Sequence, residues 1–362
     1  MWHTWHVVYY RPDKDALLLS GLKPLLERLT AEGTLERFSL RTRWRQGPRV
    51  IVDLWARPER EDALARDFEE GIRAWVAAHP SQVEISPEQM LAQHRQLAAL
   101  ELETEPLEPL HPDNSVLRVP YQSPYTGVGP VTERMAQEFY AEASPLLLEL
   151  LQRAREGQAR WQDVLFQILL SLTLLNGDLR YSHFSLRSHC EVFLQRFDTK
   201  RELRQKLEAY VQGHQEQLLK TVEVARRYVE GGGEDPLLRQ WIALCARLKK
   251  TLTELAVSGE LTLPTKESFA PRREALEYKA APITPSEFHK TVLHSRSFQE
   301  VSTTPDFLTM RCLLGWHYGI FMLAGLVPLE RVKLGYLVSR TAELSVGSTW
   351  AEALERGERA TR

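Results

Sequence analysis

The stretch "RFSLRTRWRQGPRVIVDLW" (residues 37–55) reads as a strand, a Gly47-Pro48 turn and a second strand. Upstream of it, "TWHVVYY" (4–10) is another strand, and "DALLLSGLKPLLERLTAEG" (15–33) is an amphipathic helix closed by Gly33. Downstream, "REDALARDFEEGIRAWVAAHP" (60–80) is a helix stopped before Pro80. This βαββα order predicts an antiparallel sheet with helices on one face, a ferredoxin-like half.

Further along, Ser86-Pro87 signals a helix start that runs to about Leu100. Residues 101–114, "ELETEPLEPLHPDN", are acidic and proline-rich and read as a linker. A short strand, "SVLRVPY", leads into a loop with Gly127 and Gly129. From Pro130 the apolar period is helical, with helices expected over 131–155, 159–176, 183–197, 200–230, 236–257, 285–300, 305–326 and 328–345. The expected fold class is α+β: an N-terminal lobe over 1–100, a linker over 101–115, and a larger, mostly helical lobe over 116–362 carrying the active-site cleft.

Composition narrows the function. A hydrophobic share of 43% and a charged share of 26% describe an ordinary globular chain with ample core. A net charge of −2 argues against a general nucleic-acid binder. Cys190, Cys245 and Cys312 are widely spaced, with no CxxC pattern, which suits a reducing cytoplasm and no structural zinc. "MWHTWHVVYY" lacks the basic start and apolar run of a signal peptide, and the apolar stretch 313–329 is too short for a membrane span. "EGGGED" (230–235) follows no strand and precedes no Lys-Ser/Thr, so it is a connection rather than a phosphate loop. No catalytic, metal or nucleotide motif is present, and no cofactor is expected.

Several stretches, in order, resemble one family. "TWHVVYYRPDKDALLLSGLKPLLERL", "FSLRTRWRQGPRVIVDLW", "QEFYAEASPLLLELL", "FSLRSHCEVFL" and "RCLLGWHYGIFMLAGLVPLERVKLGYLVSRTAE" resemble the C-terminal elimination domain of class I lantibiotic dehydratases, also called the thiopeptide-type bacteriocin biosynthesis domain. In eliminating members the turn leads into Gly-Pro-His-Leu-Arg-Leu-Arg, whose arginines hold the expelled glutamyl group; here Ile51 and Asp53 take those arginine positions. The later acid- and arginine-bearing stretch is "YQSPYTGV", with Gln122, Ser123 and Pro124, and "FLTMRCLLG" lacks the family's His-Met pair. A chain that keeps the fold and loses these groups resembles the standalone pyridine synthases of thiopeptide biosynthesis. The resemblance implies a formal [4+2] aza-cycloaddition of two dehydroalanines in a ribosomally made, azole-bearing precursor peptide, with loss of water and leader peptide. The alternatives are a glutamate-eliminating subunit of a split dehydratase and a non-catalytic recognition partner for the precursor.

That chemistry needs proton donors and acceptors beside two aligned alkenes. On the helix 305–326, Arg311, Gly315, Tyr318 and Met322 share one face, with His317 on the neighbouring one. Tyr318 and His317 are the first candidates for catalysis, against the plain alternative of core packing around helix glycines. "HKTVLHSRSF" supplies His294, Ser295 and Ser297, which could equally cap a helix end. "RYSHFSLRSHCEVF" supplies Tyr181, His183, Arg187, Ser188 and His189, also consistent with a serine cap and surface histidines. Tyr181, His189 and Ser295 are further catalytic candidates, and Arg311, Arg187 and Ser297 are candidates for holding substrate. Residues 33–58 carry six basic and two acidic groups, an excess of four in a chain of net −2. As one strand, 41, 43 and 45 would share a face, so Arg41, Arg43 and Arg45, with Trp44, are the candidates for capturing an acidic leader. A solvated strand face neutralised by neighbouring glutamates is the plainer reading.

Overall fold

The computed structural model describes residues 1–101, 105–124, 128–262 and 285–360. Over these the protein is an α+β fold: a four-stranded antiparallel sheet near the N-terminus, and helices elsewhere. It divides into two compact units. One contains Met1–Arg155 and Gly319–Gly325, and the other Glu156–Leu261, residues 285–318 and residues 326–360.

In the first unit the strands are β1 (Trp2–Val8), β2 (Arg37–Arg43), β3 (Arg49–Trp55) and β4 (Val116–Val119), in spatial order β2-β3-β1-β4. Helices α1 (Lys23–Ala31), entered through a π-turn at Leu17–Leu22, α2 (Glu61–Ala78) and α3 (Pro87–Glu101) lie between them in sequence. The sheet is therefore a complete βαββαβ unit, because β4 pairs with β1 from Thr4↔Val119 to Val7↔Val116. That pairing places the segment expected as a linker, and the strand after it, inside the first unit. His111 N donates to Gln46 O at 2.9 Å, and Tyr10 O–H donates to His111 O, so the segment is tied to the β2–β3 turn. Residues 102–104 and Gly127 lie outside the described residues.

One sheet face is apolar, with Trp5, Val7, Leu40, Val50 and Val52 buried. It packs on α2, where Leu64, Phe68, Ile72 and Val76 recur at helical spacing and Trp5 meets Phe68 at 5.0 Å between rings. Each such side chain contributes about 1.5–3 kcal/mol on burial. The edge strand β2 is closed by helix α4 (Pro130–Arg155): Leu40 N donates to Ser144 Oγ at 2.8 Å. Gly47, at φ +107, makes the turn, and a Cβ there would meet the Tyr10 ring.

In the second unit come α5 (Trp161–Leu175), α6 (Leu179–Ser182), α7 (Phe184–Phe197), α8 (Glu202–Gly213), α9 (Gln215–Val229), α10 (Pro236–Val257), α11 (Glu287–His294), α12 (Arg296–Ser302), α13 (Pro305–Phe321) as far as Tyr318, α14 (Pro328–Val346) and α15 (Trp350–Ala360). The helix expected over 200–230 breaks at His214, and the one over 285–300 breaks at Ser295. Helix α13 stops at Phe321, so Met322 sits in a 3-10 turn and is exposed. Pro305–Ala324 is long and apolar enough to cross a membrane by length and composition, and 72% of its most apolar window is buried within the protein. That burial is the mark of a core helix.

Two fully buried histidines in this unit give a pH dependence. His317 is lowered to about 4 by burial, and His183 to about 3 by burial and then by Arg187 and Arg340. Both are neutral when folded and take up protons on unfolding once the pH falls below about 6.5. Their contribution is complete above that pH and is lost as pH falls toward the folded values. Each should cost about 1 kcal/mol between pH 6.5 and 5.5, about 2 kcal/mol together. Urea unfolding at pH 6.5 and 5.5 measures this, and equal midpoints would contradict it.

Candidate functional site

On the polar face of the first unit's sheet, Asp53 is fully buried and flanked in register by Thr4 on β1 and Ser39 on β2. Both hydroxyls donate to it, at 2.7 and 3.0 Å, and Arg41 Nη2 donates at 2.7 Å. The same Arg41 nitrogen donates to Gln122 O at 3.0 Å, while Gln137 Nε2 donates to Ser39. A carboxylate at this position, on a covered face, needs these donors to offset its desolvation.

This arrangement corrects the exposed stripe expected of β2. Arg41 is 6% exposed and engaged by Asp53 and Gln122, so it is not a surface group for capturing a leader. Arg43 ends the strand and is exposed, whereas Arg45 falls in the turn, 3.8 Å from Glu105. Trp44 packs beside His94, with ring centroids 5.2 Å apart.

The second unit groups the helical candidates into separate clusters. Tyr318, on α13, is buried, and its hydroxyl makes no hydrogen bond among the described residues. The His189 ring from α7 stands 5.4 Å away between centroids, and the Arg331 guanidinium from α14 lies 5.3 Å over the Tyr318 ring. Arg331 Nε is also buried without a partner among the described residues. Burial raises the Tyr318 phenol well above its ordinary value, so it is a neutral donor at any working pH. His189 is exposed at its surface yet crowded by protein, and is lowered to about 4 by burial and then by Arg331, Arg311 and His289. It is therefore a neutral acceptor. Arg311 itself is exposed. Next to His189, Ser188 Oγ meets His289 Nε2 at 2.9 Å, and His289 Nδ1 meets Ser286 Oγ at 2.8 Å. Nothing local in the sequence points to Arg331 or His289; "PLERVKLGY" reads as an ordinary amphipathic start.

His317 belongs to the core. Its Nδ1 lies 2.6 Å from Leu313 O, and its Nε2 accepts from Trp241 Nε1 at 3.0 Å with Cys245 Sγ at 3.4 Å. Both ring nitrogens are engaged, so it has no site for a substrate proton. Arg187 is likewise buried: Nε donates to Glu191 at 2.8 Å, and Glu191 also takes both terminal nitrogens of Arg204. That network corrects its expected role as a substrate clamp. Ser295 caps α12, accepting from Phe298 N at 3.2 Å, and its hydroxyl meets that of Ser297 at 3.0 Å. Tyr181 O–H donates to Ala353 O on α15, whose Gly357 lies against both Tyr181 and Ser297. Tyr181, Ser295 and Ser297 thus belong to a packing cluster under the C-terminal helix. In the first unit, Gly319 admits the Tyr140 hydroxyl where a Cβ would clash. That glycine serves close packing. No group of three or more His, Cys, Asp or Glu among the described residues could hold a metal ion.

Residues 2–294 match the family described as lantibiotic biosynthesis dehydratase C-term. Among solved structures, the chain is similar to the pyridine synthase TbtD from thiomuracin biosynthesis, with 22% identity and a TM-score of 0.72 over 96% of this chain and 99% of that one. It is also similar to TsrL, with 17% identity and a TM-score of 0.68 over 99% of both chains. At these identities the likeness is one of fold. No curated protein matches the sequence.

Proposed function

The chain belongs to the lantibiotic biosynthesis dehydratase C-terminal family, and from that premise we propose that it forms the pyridine of a thiopeptide macrocycle in the cytoplasm, from a leader-bearing, azole-containing precursor with two dehydroalanines. The observation that carries the reading is the Tyr318 hydroxyl, buried beside His189 and Arg331 and unpartnered among the described residues. One dehydroalanine must present its flanking amide as the iminol, which moves a proton from nitrogen to oxygen. In this reading Tyr318 gives its proton to the carbonyl oxygen, neutral His189 takes the N–H proton and returns it to the Tyr318 oxygen so that both side chains end neutral, and Arg331 holds the carbonyl. The azadiene, CH2=C–N=C(OH), then adds through its two carbon ends to the second alkene, forming two C–C bonds. Water leaves the new ring, and loss of the leader as its amide makes the ring aromatic. Holding the two alkenes together supplies up to about 7–11 kcal/mol for well-oriented reactants.

Glutamate elimination fits less well, because Asp53 occupies the polar face and engages Arg41. The two readings separate on substrate. Offered together, a bis-dehydroalanine azole peptide should be consumed and a glutamylated serine peptide left intact; the reverse result counts against the proposal.

Leader capture falls to Arg43 and Arg45 with Trp44, at the turn end of β2. Reversing both arginines to Glu should weaken binding of a labelled acidic leader by about tenfold, and raised salt should weaken wild-type binding. Affinity unchanged in both measurements would remove this face from the account.

A further inference from the structure

The turn end of the same polar face holds a charge that no acid among the described residues compensates. Arg49, the first residue of β3, is 4% exposed, and no ion pair reaches it among the described residues. Its guanidinium donates only from Nη1, to the carbonyl oxygens of Gly47 at 3.3 Å and of Arg45. Nε is buried with no partner among the described residues. In the β2–β3 register Arg43 stands directly opposite, a pairing of like charges that is unfavourable by itself. His6, on the adjacent strand β1 and two residues off that register, adds a buried Nδ1 that also lacks a partner among the described residues. His111 stands 6.3 Å from His6 between ring centroids. Asp53, the acid on this face, is already saturated by Arg41, Thr4 and Ser39, and Glu105 pairs with Arg45.

Buried cations are ordinarily paired, because an unpaired one keeps its full desolvation penalty. Burial and the surrounding arginines lower Arg49 to about 10, the direction expected where nothing negative sits beside it. Arg49 Nε and His6 Nδ1, the latter a donor in one tautomer of the neutral ring, lack partners among the described residues, and the exposed Arg43 lies beside Arg49 on the same face of the sheet. That is the donor set of an anion site.

We propose that Arg49, with Arg43 and His6 beside it, forms a subsite for a carboxylate side chain of a bound acidic peptide. The inference rests on the reading of this chain as one that handles a leader-bearing precursor, and names the place where one acidic leader residue is anchored. It does not depend on the cycloaddition.

The test follows thermal unfolding of the full chain in sodium glutarate, in sodium phosphate and in sodium chloride, all at one ionic strength. Glutarate should raise the wild-type midpoint by about 3 °C or more over chloride, by mass action on the folded state. Arg49→Met removes the uncompensated charge and keeps the side chain's length, so its midpoint in chloride should match or exceed the wild type's, with no glutarate shift. Arg43→Gln, at the exposed side, should fold normally and reduce the shift. No glutarate shift in the wild type, together with an Arg49→Met midpoint below the wild type's, makes Arg49 structural and overturns the proposal. A shift in phosphate alone overturns the carboxylate assignment in favour of a phosphoryl ligand. Because the readout is unfolding, a chain without turnover but with the glutarate shift would sink the cycloaddition and leave the subsite standing.

Discussion

Tyr318→Phe should leave the protein folded and lower its turnover of a bis-dehydroalanine peptide by about 10²-fold or more, the usual scale for a positioned acid or base. The substitution removes one oxygen and keeps the ring, along with its contacts to His189 and Arg331. Among the described residues the hydroxyl has no hydrogen bond to lose, so removing it ends an unsatisfied burial rather than a bond. The thermal midpoint should therefore hold or rise while turnover falls. Leader affinity should not change. A merely structural tyrosine would give a different pattern, with near-normal turnover at any measured stability, and that result would return Tyr318 to the core.

Asp53→Ala should destabilise the protein by about 3–5 kcal/mol, the scale for removing one partner of a buried ion pair. The change leaves the Arg41 guanidinium buried without its carboxylate, and deprives the Thr4 and Ser39 hydroxyls of their acceptor. Asp53→Ala combined with Arg41→Met removes both charges and should recover much of the loss, since apolar replacement of a whole buried pair is often neutral. Chemical denaturation of the single and double variants decides it. A single variant as stable as the wild type would mean that the Asp53 network does not hold the sheet together.

The sheet was largely legible because its information is local. "RFSLRTRWRQGPRVIVDLW" carries both strands and the turn, and the helices on either side show their period and stops. The fourth strand, Val116–Val119, was visible but misplaced, because nothing in "SVLRVP" says that it returns across about a hundred residues to pair with β1. Breaks at His214 and Ser295 were hidden inside apolar periods that run on through them. The last helix, Trp350–Ala360, had a readable signal that went unused. Thr349 and Glu352 form a reciprocal capping box, with Thr349 N donating to Glu352 at 2.8 Å and Glu352 N to Thr349 Oγ1 at 3.3 Å.

The candidate site was legible only in part. Residue type and helical face brought out Tyr318, and nearness in sequence to it brought in His317, but one ring faces His189 and the other lies among Trp241, Cys245 and Leu313. Sequence spacing cannot tell an engaged hydroxyl or imidazole from an unpartnered one. Arg41 and Arg187 show the same limit, since each is answered by an acid, at Asp53 or Glu191, that its own pattern does not announce. Arg331 was missed because it reaches Tyr318 from a different helix, a tertiary fact with no local trace.

Whether the protein closes the ring is decided by weighing what it makes, once purified, from a leader-bearing azole peptide with two dehydroalanines, with no metal or nucleotide added. Two products are expected: a core macrocycle whose mass equals the substrate less one water and less the leader, and the leader itself ending in an amide. A substrate that stays bound but unchanged in mass would contradict ring closure, and would leave the protein as a recognition partner for another enzyme.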